Sequence, residues 1–459
     1  MFFVCVFIPT KNYFNHPCKM AGWSERMHEA ELQQERDELH KYFKKIRCGR
    51  KTKLHFWWKE FDMFHDWPVL LDALEQSPFI ESLHFDASLK NLTADEQNKV
   101  LSRIANLLKT HPKIYGFGLT QTDFSGLRFE GMNKIFEALC VNTTIKKLDL
   151  SCNKLHGTVL HLENVLIQNT TIETLALCGS NTYGTNITFH GMHWFAEGLR
   201  RNNGLKLLDL SNNRDGFMDP ALLDYLADAL ASNPTLTTLV MSGNGIGTCE
   251  RNMANMSKIL QSKTIRNVDL TGNCLGTVHE NGIASMRFIA DALDKNPETS
   301  IEVLTLSSNS IGCSPQSMEA LSDIIARTQT IRRLFLRSVG FDRNEENMQI
   351  LANCLSINTS IEHLDIYGNN IGAHASGFGW LASIFEHNST IHWLNIDYNC
   401  SFRAIERDSE YLLKALKYGS IKRLCYTKFD FPDHMVARIE EQLRQNNAQS
   451  GIPLQDDIA

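Results

Sequence analysis

The sequence predicts an α/β fold: a right-handed solenoid with a parallel sheet on its inside and helices outside. Three observations carry this. A short apolar template recurs twelve times at intervals of 27 to 36 residues. Within it the apolar residues alternate, as one buried face of a strand requires. Between its copies the apolar spacing changes to the helical period.

The template is apolar-x-x-apolar-x-apolar, as in "IKKLDL" from Ile145. It starts at Ile80, Ile114, Ile145, Ile172, Leu205, Leu236, Ile265, Ile301, Ile331, Ile361, Ile391 and Ile421. Such a period signals stacked units rather than independent domains. Each strand should bury its later pair, as with Leu148 and Leu150 or Leu364 and Ile366. A column of asparagines follows: Asn153, Asn213, Asn244, Asn273, Asn309, Asn369 and Asn399. A short polar side chain there can bond backbone groups that a tight turn leaves unpaired. Stacking would turn the column into a ladder, interrupted where Ser88, Thr122, Ser180, Val339 and Phe429 replace the asparagine.

Beyond the asparagine, Leu275-Gly276, Ile311-Gly312 and Ile371-Gly372 turn the chain toward a helix. The helices show one apolar face, as in Phe378, Leu381, Ile384 and Phe385, or Leu222, Leu226 and Leu230. These features resemble the leucine-rich repeat family, pattern LxxLxLxxNxLG, and the long period is similar to its ribonuclease-inhibitor-like branch. The resemblance covers residues 80–447 and implies a horseshoe that binds proteins on its concave sheet.

Asn142, Asn169, Asn358 and Asn388 stand in Asn-x-Thr/Ser sequences three residues before a repeat start, and Asn202 and Asn233 hold the same place without being acceptors. A left-handed, helix-ending asparagine suits that position. These sequons therefore read as by-products of the repeat rather than glycosylation sites. Asn91, Asn186 and Asn255 match the pattern elsewhere.

The ends should be capped. Residues 1–23 read as a disordered leader, with an ordinary cytosolic start at Met20. Residues 24–79 read as a helical cap, with Leu32, Leu39, Phe43 and Ile46 on one face, followed by a degenerate repeat, "KLHFWW". The array runs over 80–447 and closes on Met435, Val436, Ile439 and Leu443; residues 448–459 read as a frayed tail. Lys44, Lys45, Arg47, Arg50, Lys51 and Lys53 form a basic cluster, read as a solvated cap surface, with a nuclear-import signal or a site for an acidic partner as the functional alternatives.

A net charge of −6 on 459 residues argues against nucleic-acid binding through overall basicity. No apolar run spans a bilayer. Twelve scattered cysteines without CxxC pairs read as free thiols in a reducing compartment. The expected location is cytoplasmic, with the nucleus as an alternative, and the expected state is a monomer. No nucleotide-binding loop, GxSxG, HExxH or EF-hand pattern is present. His190 and His193 lack a third ligand, and Asp149, Asp209, Asp269 and Asp365 read as solvated residues held apart on separate strands. No cofactor, metal or enzymatic activity is expected.

The concave face carries the candidate site. Its side chains are bland in the middle repeats, such as Thr174, Thr238 and Thr305. Toward the C-terminus they become Arg333, Phe335 and Arg337; His363, Asp365 and Tyr367; Trp393, Asn395 and Asp397, with Tyr398 beside them; then Arg423. Exposed aromatic and arginine side chains together have the composition of a protein-binding hot spot. A smaller candidate lies at Lys53, His55, Trp57, His84 and Asp86. The leading reading is a non-enzymatic scaffold that binds a protein partner. The alternative is a GTPase-activating protein, because the array also resembles the Ran GTPase activator.

Overall fold

Alternation within each template produces strands, and the thirteen found among the described residues follow the chain in sheet order. They are β1 Lys53–Trp57, β2 Ser82–Asp86, β3 Gly116–Thr120, β4 Lys147–Asp149, β5 Thr174–Ala176, β6 Leu207–Asp209, β7 Thr238–Val240, β8 Asn267–Asp269, β9 Val303–Thr305, β10 Arg333–Phe335, β11 His363–Asp365, β12 Trp393–Asn395 and β13 Arg423–Cys425. This is a computed structural model that describes residues 41–57, 67–87, 89, 92–122, 130–153, 155, 159–179, 192–295, 299–400, 405–428 and 431–448. The chain falls into two units, Met1–Asn153 and Lys154–Ala459. The first holds β1 to β4 and the second β5 to β13. Each alternates parallel strands with helices, the α/β solenoid that the period predicts.

In the first unit, "KLHFW" pairs in full register with β2, Leu54 opposite Leu83 and Phe56 opposite Phe85. The degenerate repeat is therefore a strand of the sheet. Its Phe56 ring stacks on Phe85 at 5.4 Å, and Trp67 from helix Trp67–Glu75 reaches Phe85 from the other side. Phe43 and Ile46 are fully buried. In the second unit the predicted faces are internal: Leu222, Leu226, Leu230, Phe378, Leu381, Ile384 and Phe385 are all buried, as are Leu364 and Ile366. Each fully buried aliphatic side chain contributes on the order of 1.5–3 kcal/mol. The last helix, Asp433–Ala448, buries Met435 and Ile439 and leaves Val436 and Leu443 half-buried.

The asparagine column forms the expected ladder. Asn244 Oδ1 accepts from the Asn213 backbone N–H at 2.6 Å, Asn273 Oδ1 from Asn244 at 3.0 Å and Asn309 Oδ1 from Asn273 at 2.7 Å. Each Nδ2 donates to strand-end carbonyls, as from Asn369 to Leu336 and Ile366. Val339 breaks one rung, because it has no oxygen to offer Asn309. The ladder resumes where Asn369 Oδ1 accepts from the Val339 N–H at 2.8 Å. In the first unit Thr122 donates its N–H to Asn153 Oδ1 at 2.9 Å. Ser88, Ser180 and Phe429 lie outside the described residues.

A second asparagine column ends the helices, and here the left-handed expectation is corrected. Asn233, Asn358 and Asn388 are extended, with φ of −62°, −73° and −91°. The helix is stopped by the side chain instead. Asn358 Oδ1 accepts from Ser360 and Ile361 N–H, while Nδ2 donates to Ile325 O of the preceding helix. Asn388 does the same to Leu355 O at 2.8 Å. Those side chains are only 3% exposed, so the folded chain offers no acceptor at these sequons. Asn142 and Asn169 are buried likewise, and Asn255 bonds Asp224. Asn91 and Asn186 lie outside the described residues.

Left-handed backbone occurs instead just before the ladder position, at Cys152, Asn212, Gly243, Gly272, Ser308, Ser338, Gly368 and Tyr398, and just after it at Cys274, Ser310 and Asn370. The glycine after it is required by close approach. A Cβ at Gly276 would meet Ser310 O at 2.2 Å, and one at Gly312 would meet Gly340 O at 2.0 Å. The leader, most of the predicted capping helix, His190 and the tail beyond residue 448 lie outside the described residues.

Candidate protein-binding face

The parallel register of β9 to β13 sorts the non-core side chains of the second unit into rows. Arg333, His363, Trp393 and Arg423 are direct neighbours along one row. Phe335, Asp365, Asn395 and Cys425 form the next. Residues two further on, Arg337, Tyr367, Asp397 and Thr427, form a third. Strand neighbours lie ~4.8 Å apart, so the structure brings all the sequence-predicted residues of this site together on one face.

The middle row is not the set of solvated side chains that the sequence suggests. Asp365 is fully buried, and Arg337, 49% exposed, binds its Oδ2 at 2.6 Å. Asp365 Oδ1 accepts from the Tyr367 N–H at 3.1 Å, and Asn395 Nδ2 donates to Oδ2 at 3.3 Å. Asn395 is therefore also buried, at 7% exposure, with Oδ1 accepting from the Asp397 N–H. The other strand aspartates close local turns: Asp149 accepts from Ser151, Asp209 from Ser211 and Asp269 from Thr271. A carboxylate accepting from a backbone N–H two residues on costs less than an unbonded one, which explains its repeated use at this half-buried position.

Around this buried pair the remaining groups face outward. The Arg337 guanidinium lies 5.9 Å from the Tyr367 ring centroid and 6.0 Å from Phe335. Tyr367 and Tyr398 pack with centroids 5.0 Å apart. His363 and Trp393 stack at 5.7 Å with an 18° interplanar angle. Phe335, His363, Tyr367 and Trp393 are half-buried, whereas Arg333 and Arg423 are exposed. Burial first, then the nearby His392 and Arg333, hold the His363 imidazole below its ordinary value. Burial and the Asp365 and Asp397 carboxylates push the Cys425 thiol up. Sequence reasoning missed His392, which meets His363 edge-on at 5.2 Å, and Thr427, which donates to Asp397. Their template positions were visible, but only the register says what they touch.

Tyr398 is the odd member. It has φ +56° and is 65% exposed. The corresponding residues are Asn212, Gly243, Gly272, Ser308, Ser338 and Gly368. A bulky residue costs about 1 kcal/mol or more in this conformation. The chain carries that cost at the edge of the aromatic cluster.

The chain is 34% identical over 120 residues to leucine-rich repeat-containing protein 45 of Gallus gallus, a match covering 26% of this chain and 18% of that protein. Strands, asparagine-bonded turns and helices recur in this order. The fold is that of a leucine-rich repeat solenoid. The chain spans under a fifth of the length of that curated relative. The leucine-rich repeat-containing protein LegL7 from Legionella pneumophila aligns with 65% of this chain and 97% of its own, at 18% identity and a TM-score of 0.41. No family model matches.

In the first unit the leucine-rich repeats place the smaller candidate around two histidines. His55 and His84 stack at 4.5 Å. His84 Nε2 bonds Thr120 Oγ1 at 3.1 Å, and Thr120 donates to Asp86 Oδ1 at 3.0 Å. The His84 ring occupies the space left by Gly118, where a Cβ would lie 2.0 Å from Nδ1. Burial, then the His84 charge, lowers His55 to about 4; burial also lowers His84 and raises the Asp86 carboxyl. The Lys53 and Trp57 backbones pair opposite Ser82 and Asp86. Among the described residues no group of three or more His, Cys, Asp or Glu could hold a metal. No helix among them is long and apolar enough to cross a membrane.

Proposed function

We propose that this leucine-rich repeat protein, similar to the ribonuclease-inhibitor-like branch, is a non-enzymatic scaffold that binds a protein partner. The partner seats on the concave face at Arg333, Phe335, Arg337, His363, Tyr367, Trp393, Tyr398 and Arg423. One observation carries the reading: half-exposed aromatics and exposed arginines from successive strands adjoin on one rigid sheet. Side chains held by stacked strands lose little conformational freedom on binding, and buried aromatic or arginine anchors often contribute about 2 kcal/mol or more each. Asp365 and Asn395 hold the site from beneath. With a partner isolated from native cytosol, Trp393→Ala and Arg333→Ala should each weaken binding at least about tenfold with little change in melting. Thr238→Ala and Thr305→Ala should do far less. Dominance of those two, or acceleration of GTP hydrolysis by a small GTPase, would overturn the proposal.

A further inference from the structure

The arginines of this face are not equivalent. Arg337 is committed to the buried Asp365. Arg333 makes no ion pair among the described residues, and both it and Arg423 are exposed at the two ends of the first row. Between them lie His363 and Trp393, stacked in register. The groups facing His363 are Arg333 from β10, His392 and Trp393 from the β12 segment, Arg423 from β13 and Glu362 on its own segment. Glu362 is already turned to Arg332, at 3.7 Å. The row therefore presents cations at both ends and an aromatic centre.

We propose that this row takes an acidic peptide segment of the partner. One carboxylate lies against Arg333 and His363, an apolar side chain covers the His363–Trp393 stack, and a second carboxylate meets Arg423. The proposal rests on the concave-face reading above and names its ligand. Three strand spacings separate the arginines by ~14 Å, about four residues of extended chain. A nucleic acid is the other polyanion with stackable groups, but it requires cations that track a continuous backbone. Here Asp397 lies on the same face and the chain is net negative, at −6.

Binding of this kind takes up a proton. In the free protein burial and neighbouring cations keep His363 neutral. A carboxylate brought against it favours the imidazolium, so its pKa is higher in the complex than in the free protein. Affinity then rises as pH falls through the value in the complex. The rise ends once the free protein also protonates, or the peptide carboxylate does.

The test uses the full chain and a phage-displayed random peptide library, and each selected peptide is then measured against Trp393→Ala. Expected are peptides rich in Asp and Glu around an aromatic or aliphatic residue. They should lose at least about tenfold in affinity with Arg333→Gln or Arg423→Gln while melting is unchanged. Their affinity should increase about threefold or more between about pH 8 and about pH 6. In His363→Asn that ratio should fall close to one, whatever the absolute affinity. Neutral or basic peptides that still need Trp393, or no enrichment at all, overturn the acidic ligand while leaving the binding face intact. Peptides indifferent to Trp393→Ala overturn the face itself. Tighter binding of a single-stranded oligonucleotide to the same row replaces the acidic peptide with nucleic acid.

Discussion

Asp365 shows how far a single residue escapes a pattern. Alternation assigns it to the non-core face, yet Arg337, two residues past its register partner on the neighbouring strand, covers it completely. The pattern gives the face; the partner depends on register and side-chain reach. Arg337→Met should therefore destabilise the protein by about 1–3 kcal/mol through a stranded buried carboxylate, whereas Arg333→Met should leave the denaturation midpoint unchanged. Equal midpoints would contradict the buried pair. Tyr398→Asn should separate stability from binding: relief of the left-handed strain gains up to about 1 kcal/mol, while partner affinity falls. Asn273→Ala should cost about 1–3 kcal/mol for its unpaired backbone groups. Asn395, which alternation places on the non-core face, is buried, so its replacement by Ala should not be neutral. Gln349, exposed on helix Glu346–Ile357, should change stability by less than about 0.5 kcal/mol when replaced by Ala.

Strands and helices were legible because their periods differ, two residues against 3.6. Each strand occurs where the template puts it, and the predicted faces of the helices Pro220–Ser232 and Gly377–His387 are buried, while that of the last helix is half-buried. The helix ends were read less well. An asparagine three residues before a strand is compatible with a left-handed stop or with a side-chain stop, and composition cannot separate them; the acceptor carbonyl on the preceding helix decides. A titration follows for the paired strands β1 and β2. His55 and His84 have lowered values in the folded state, so the unfolded chain binds protons first as the medium is acidified. The stability they contribute is complete above the ordinary imidazole value of ~6.5. It is lost as pH falls from there toward about 4 for His55. Asp86, raised by burial, works in the opposite sense in the carboxylate range. Amide protection factors of the first unit, which correct for the slower intrinsic exchange in acid, should fall from neutral pH to about pH 5, and His55→Asn should reduce the slope. A flat profile in the parent would refute the buried imidazoles.

For the molecule as a whole, the repeat count and family were open in the sequence because twelve copies agree on one geometry. The candidate face was open only by composition. The two polar columns that bond the repeats together were half visible, since a letter does not state its bonds. No disulfide links the ten described cysteines, and burial pushes the Cys354 thiol up to about 12. Thiol titration of the denatured, unreduced protein should return most of the twelve cysteines of the chain. Several protected pairs would contradict the free-thiol reading.

Both asparagine columns have a direction. Each ladder side chain receives the N–H of the repeat before it, and each helix-ending Nδ2 reaches back to an earlier carbonyl. A repeat is therefore completed by residues synthesised about thirty positions later. On the ribosome the newest unit always waits with open bonds while the one behind it closes. Folding that follows translation would advance like a zip whose slider trails the exit tunnel by one unit, and a stalled nascent chain would expose only its last repeat to quality control.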